Sequence, residues 1–266
     1  MTDTIELAAK MKRLQIWLDQ NGAAATVERR HYDGAPFGKA YVTIDPSAQA
    51  PVASTNRNRI YLCGHEPGLT RDGLEQLFAL FKSHGVERFF VWLLPGPGRE
   101  EVAAWLRELG FGLNPWTRYV TMLLQEPPQA EPRTDLFIRE MSALQPRDSE
   151  RLSSLMAWPY YASTMGKPGF THWIAFDAGE PVAIASLACF EHVGYLATAN
   201  TLESHRRRGA QSAFIVTRIA KARELGMKFI VSETLTMLKS SLGNLERAGL
   251  REIYEKQVFG PPYNSA

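Results

Sequence analysis

Cysteine is scarce in this 266-residue chain: only Cys63 and Cys189 occur, each inside an apolar, strand-like stretch. Two thiols make no disulfide scaffold, and they fit a reduced, cytoplasmic setting. Long apolar runs are missing as well. None approaches the ~20 residues that a helix needs to span a bilayer. The opening residues, Met1-Thr-Asp-Thr-Ile-Glu6, carry acids where a secretion signal has a basic region. Excess charge of either sign is also absent. Lys and Arg total 30 against 28 Asp and Glu, a formal net charge of +2, which argues against nucleic-acid and membrane-surface partners. The six histidines fall at no metal-ligand spacing with Cys, Asp or Glu, so no metal site is expected.

What is present describes a soluble chain with a real core, 45% hydrophobic and 22% charged. Its length suits two domains. The clearest seam is Gln125-Glu-Pro-Pro-Gln-Ala-Glu-Pro-Arg133, where three prolines disfavour helix and ladder alike. Domains over residues 1–125 and 134–266 are expected on either side of it.

After the seam, Leu136–Arg139 reads as a strand and Leu144–Met156 as a helix, followed by an aromatic loop at Trp158-Pro-Tyr-Tyr161. Two β-rich runs, His172–Phe176 and Pro181–Phe190, flank Asp177-Ala-Gly-Glu180, which is good hairpin chemistry. A short turn at Val193-Gly194 leads to a strand from Tyr195 to Leu202. The period then becomes helical from Gly209 to Leu225, with Gly226 placed to end the helix. A strand (Phe229–Val231), a short helix (Ser240–Ala248) and a strand (Ile253–Phe259) complete the half. The order predicts an α+β fold, a mixed and mostly antiparallel sheet with flanking helices.

The N-terminal half opens with a helix over Ile5–Gln20, whose Leu7, Met11, Leu14 and Leu18 share one face. Strand Arg59–Cys63, helix Arg71–Ser83, strand Arg88–Leu94, helix Glu100–Leu109 and strand Tyr119–Leu124 follow. This repeats the order at the end of the second half, and a duplication is expected.

Chemistry is concentrated in Thr201-Leu-Glu-Ser-His-Arg-Arg-Arg-Gly-Ala-Gln-Ser212, where a basic loop joins a strand to a helix. Unpaired backbone N–H groups and the positive end of the helix dipole suit a pyrophosphate. Gly209 allows close approach, and Arg206, Arg207 and Arg208 add charge. A solvated basic loop before an amphipathic helix is the plain alternative.

The pattern Arg206-x-x-Gly209-x-Gln211 between strand and helix resembles the acetyl-coenzyme A signature of the GNAT superfamily of N-acetyltransferases, with Gln211 where Gly or Ala is usual. The meander before it and Ser241-Leu-Gly-Asn-Leu-Glu-Arg-Ala-Gly249 after it are similar to the family in the same order. The resemblance implies a tandem GNAT-like protein with a degenerate N-terminal half, and an acetyl-CoA-dependent N-acyltransferase in the C-terminal half. In the family two central parallel strands splay apart to admit the thioester; here these would be Tyr195–Leu202 and Phe229–Thr234. Thr201 and Leu202 would pair with the pantetheine arm. The N–H groups through Arg207, Arg208, Gly209, Ala210, Gln211 and Ser212 would hold the pyrophosphate, and Asn244 the cofactor's arm.

Many members carry a tyrosine general acid four residues before the helix-ending glycine, where this chain has Leu245. Tyr254 is the nearest substitute in sequence, and Glu191, His192 and Glu233 are candidate bases at strand ends. Trp158, Tyr160 and Tyr161 fall in a region that lines the family's acceptor pocket. The acceptor is expected to be a small-molecule or peptide amine, and a homodimer is compatible. In the first half, Gly64-His-Glu-Pro-Gly68 stands in place of the phosphate loop and lacks its pattern. Two other readings compete: a non-catalytic acyl-CoA-binding or sensing protein, and a nucleotide-binding α/β protein.

Overall fold

A computed structural model describes residues 3–22, 27–48, 57–114, 118–128 and 133–262. Helix α1 (Thr4–Gly22) buries the stripe Leu7, Met11, Leu14 and Leu18. Strands β1 (Glu28–His31) and β2 (Tyr41–Ile44) form an antiparallel pair. Periodicity does not reveal β1, whose sequence ERRH is polar throughout. There follow β3 (Arg59–Cys63), α2 (Arg71–Ser83), β4 (Phe90–Leu94), α3 (Arg99–Glu108), the two-residue β5 (Gly112–Leu113) and β6 (Tyr119–Leu124). Of the proline-rich seam, residues 129–132 lie outside the described residues.

The chain continues through β7 (Phe137–Met141), α4 (Pro146–Leu152), α5 (Trp158–Thr164), β8 (Phe170–Asp177), β9 (Glu180–Phe190) and β10 (Val193–Thr201). A 3-10 turn at Glu203–His205 precedes α6 (Ala210–Glu224), β11 (Phe229–Leu235), α7 (Lys239–Arg247) and β12 (Leu250–Gly260).

Three local readings change. Trp158–Thr164 is helical, not a loop, because Pro159 falls in the first turn, where its missing N–H costs nothing. The helix expected over Leu144–Met156 ends at Leu152. The turn into β10 is at Glu191 and His192, both at positive φ, so Val193 and Gly194 already belong to the strand. The β8–β9 hairpin is as expected, with Ala178 and Gly179 supplying the two positive φ angles.

The residues gather into two compact units: Met1–Ile16, Ala24–Tyr119 and Tyr254–Ala266 in the first, Trp17–Ala23 and Val120–Ile253 in the second. The first unit orders its strands β1-β2-β3-β4-β12, with β3 and β4 parallel and β5 on β12. Val42, Ile60, Leu62, Val91 and Leu93 pack there with Leu77, Phe81 and Leu106 from α2 and α3.

The second unit runs β6-β11-β10-β9-β8-β7, with β10 and β11 parallel and β7 to β10 an antiparallel meander. Ala183, Ala185 and Leu187 of β9 pack with Phe214, Ile219 and Leu245 of α6 and α7. Ile184, with Ile174 and Phe176, packs with Leu152, Leu155 and Tyr161 on the other face. The alternation along β9 thus separates two helical layers.

The same run of elements occurs twice: β3-α2-β4-α3-β6 and β10-α6-β11-α7-β12. The closing strand of each run serves the other unit. β6 contributes Val120 onward to the second unit, and β12 contributes Tyr254 onward to the first.

Candidate functional site

In the second unit, β10 and β11 are bonded only at Val193↔Phe229, Gly194↔Ile230 and Tyr195↔Val231. Beyond that point both strands continue, to Thr201 and Leu235, without pairing to each other. The gap is built rather than frayed. A bulge between Tyr195 and Thr198 breaks the β9–β10 register and increases the local bend. Ser232 Oγ donates to the Leu196 carbonyl at 3.4 Å, satisfying a buried acceptor where the ladder has ended.

The basic loop leads from the open end of this gap into α6. Gly209, at φ 82°, is the residue before the helix, no side chain caps it, and the first helical bond runs from Ala213 N–H to Gly209 O. The N–H groups of Ala210, Gln211 and Ser212 are therefore those a helix start leaves for an external acceptor. Gln211 Nε2 donates to Thr201 Oγ1 at 2.9 Å, tying the helix to the end of β10. Ser212 Oγ donates to Asn244 Oδ1 at 3.4 Å, as does Arg247 at 2.6 Å. The Asn244 oxygen is thus occupied and its NH2 group is the part that can donate. Thr201, Gln211, Ser212 and Asn244 are brought together, and Leu202 packs partly into the core beside them.

The three arginines divide. Arg208 is held by Asp135 and Asp177 at 2.5–3.1 Å, and these two carboxylates push its pKa up. His205 also reaches Asp177, at 3.2 Å. Arg208 therefore braces the loop and is not placed for a phosphate. Arg206 is exposed and 3.7 Å from Glu203, and Arg207, exposed at φ 65°, makes no ion pair among the described residues. Gly209 has a stronger reason than ligand approach: a Cβ there would stand 2.0 Å from the Arg133 carbonyl oxygen.

Of the candidate bases, Glu233 lies two residues past the last β10–β11 pair. Thr121 Oγ1 donates to its Oε1 at 2.9 Å and Tyr195 OH to its Oε2 at 3.4 Å. Tyr195, opposite Ala188, shares the sheet face of Ile184, the side of α4 and α5. Sequence reasoning missed Tyr195 and Thr121. Only the register of β10 against β11 and the place of β6 beside β11 bring them to Glu233. Glu191 and His192 occupy the turn at the paired end of β10, and Tyr254 belongs to the first unit.

The aromatic trio forms one turn of α5. Tyr161 is fully buried, its OH donating to the Trp173 carbonyl at 3.3 Å, and Trp158 stacks on it at 5.7 Å between centroids. Tyr160 lies against Gly22 and Phe170, and burial pushes its hydroxyl's pKa up. Tyr161 and Trp158 are thus part of the α4–α5 core.

The first unit's counterpart is closed. Strands β3 and β4 pair at all five positions from Arg59↔Phe90 to Cys63↔Leu94. Thr70 caps α2 by accepting from Gly73 N–H. In the loop, Glu66 accepts from Cys63 N–H and is neutralised by Lys12, while His65 is held by Glu101 and the Leu69 carbonyl. An added anion finds no gap between the strands there, and the Thr70 hydroxyl already takes the Gly73 N–H at the helix start.

The chain as a whole superposes on known structures. A GCN5-related N-acetyltransferase from Kribbella flavida superposes over 98% of this chain and 96% of its own, at TM-score 0.65 and 16% identity. A tandem GNAT protein from the clavulanic acid biosynthesis pathway matches over 93% and 86%, at 0.66 and 12%. A GNAT-family acetyltransferase from Colwellia psychrerythraea covers 97% of each chain, at 0.53 and 12%. The fold is that of the GNAT N-acetyltransferases. Near-complete coverage of a tandem GNAT protein agrees with the duplication in this chain. No protein-family model and no curated protein matches the sequence. At these identities the likeness carries the GNAT fold alone. No helix among the described residues is long and apolar enough to cross a membrane.

Proposed function

We propose that the second unit is an acetyl-CoA-dependent N-acyltransferase acting on an amine. The observation that carries this reading is the built gap between β10 and β11, opening toward the uncapped start of α6. The residues fit the cofactor. N–H groups from Ala210 to Ser212 would hold its pyrophosphate, aided by Arg206 and Arg207, while Thr201, Leu202 and the Asn244 amide would line its pantetheine arm. When bound, acetyl-CoA supplies an activated acetyl group as a thioester.

Glu233 is the group we assign to the amine proton. Its carboxylate is oriented by Thr121 and Tyr195, and it stands on the strand that has left the ladder. It accepts the proton that the amine loses as the C–N bond forms and the C–S bond breaks, and that proton leaves with the thiol product. General-base catalysis of this kind contributes about 10²–10⁴-fold. The rest of the rate comes from holding both reactants in register.

A second reading, an acyl-CoA-binding protein without turnover, is favoured by Leu245. That side chain is buried in the core of α7, at the position where the resemblance calls for a proton donor. The test is thiol release from acetyl-CoA in the presence of amines, amino acids and polyamines, with Glu233→Gln alongside. Transfer that falls about 10²-fold or more in the variant, at unchanged CoA affinity, supports the proposal. CoA binding without turnover on any acceptor favours the second reading, and absence of CoA binding rejects both.

A further inference from the structure

Arg218 projects from the middle of α6 into the sheet and is 3% exposed. Its Nε donates to the Phe214 carbonyl, one turn back, at 3.1 Å. Its Nη1 donates to two strand carbonyls, Ser186 on β9 at 3.1 Å and Thr198 on β10 at 3.2 Å. It makes no ion pair among the described residues. Burial pulls its pKa down to about 9, with Tyr195 acting in the opposite sense. A buried cation without a carboxylate is poor economy for stability alone, since an apolar side chain of similar volume is often as good or better.

Its position suggests what the charge is for. Thr198 is the first residue of β10 to rejoin β9 after the bulge, opposite Ser186. Leu202 N–H donates to the Val182 carbonyl, so by the alternation of an antiparallel ladder the Thr198 C=O, opposite Ser186, also faces β9, and the Arg218 bridge between the two carbonyls holds it there. A trans peptide is planar, with its C=O and N–H on opposite sides. The N–H of the same peptide unit, that of Ala199, is therefore turned away from β9. On that side β11 has already left the ladder at Val231, so the N–H enters the gap.

We infer that Arg218 is a positioning residue of the acyl-transfer cleft, holding the Ala199 N–H toward the site of the thioester carbonyl oxygen. The inference rests on the second unit being an acyl-CoA site. A donor fixed in advance at this position stabilises the charge that develops on the oxygen without reorganising. The nearby guanidinium adds positive charge beneath the same strand.

The test uses the whole chain with CoA and with acetyl-CoA labelled with ¹³C at the thioester carbonyl. Three readings are made: calorimetric affinity, the bound carbonyl's ¹³C shift, and the Ala199 amide resonance. The wild type should bind both compounds, move the Ala199 amide much further with acetyl-CoA than with CoA, and shift the carbonyl downfield. Arg218→Met should retain CoA affinity and lose the carbonyl shift, and Arg218→Lys should recover part of it. A carbonyl shift retained in folded Arg218→Met overturns the role of Arg218 and leaves the cofactor site standing. If Arg218→Met fails to fold, the wild-type amide decides, and an equal response of Ala199 to the two compounds overturns the inference. A wild type that binds neither compound overturns the cofactor reading first, and this inference with it.

Discussion

At His172 the imidazole is buried, its Nε2 2.9 Å from Thr164 Oγ1, and burial pulls its pKa down to about 4 from the ordinary 6.5. The folded protein keeps this ring neutral between those values, whereas the unfolded chain binds a proton there. Its contribution is therefore present above about pH 6.5 and is lost as pH falls toward 4, amounting to about 3 kcal/mol in all. His172→Gln, which can still bond Thr164, should flatten the fall in denaturant midpoint between pH 6.5 and 4. An unchanged slope would mean the ring is already solvated. Nothing in the sequence around His172 signals this burial, because it depends on α5 packing over β8. Glu233 was legible as a polar residue near a strand end. Its partners were not, since Thr121 lies 112 positions away and is supplied by tertiary pairing.

Among the elements, those with strong periodicity or clear punctuation were readable in advance. Arg59–Cys63, Arg71–Ser83 and Tyr119–Leu124 match the sequence expectation at both ends, because apolar runs there are bounded by glycines, prolines or caps. The polar β1 and the helical aromatic segment were not readable, as partner strands and packing override local preference there. The loop before α6 was recognised, but its internal division of labour required structure. Gly209 is demanded by its φ of 82° and by the Arg133 carbonyl, and Arg208 by Asp135 and Asp177. Gly209→Ala should therefore lower the melting temperature and CoA affinity together. Arg207→Ala, altering an exposed side chain, should lower CoA affinity with the melt unchanged. Thermal scans and calorimetry on the two variants separate scaffold from ligand contact, and identical behaviour would reject that division.

For the whole molecule, duplication of the fold does not duplicate the gap between parallel strands. The first unit's parallel strands stay paired over five positions and its helix start is capped by Thr70, whereas the second unit's strands part after three. Calorimetric titration with CoA should accordingly saturate at one molecule per chain, and two equivalent sites would contradict the closed state of the first unit. The order of the two βαβαβ runs was legible in the sequence. The destination of their last strands was not, because a strand's apolar pattern says which face is buried and not which neighbour it joins.

The exchange of those last strands also bears on how the protein is made. Domains of a growing chain generally form in order as they leave the ribosome, the N-terminal one first. Here β4 finds its neighbour β12 only when Gln257, Val258 and Phe259 have been added, after nearly all of the second unit. The first unit must therefore wait, with one side of β4 unpaired, until those residues are made, and the two units are expected to reach their final form together rather than in turn.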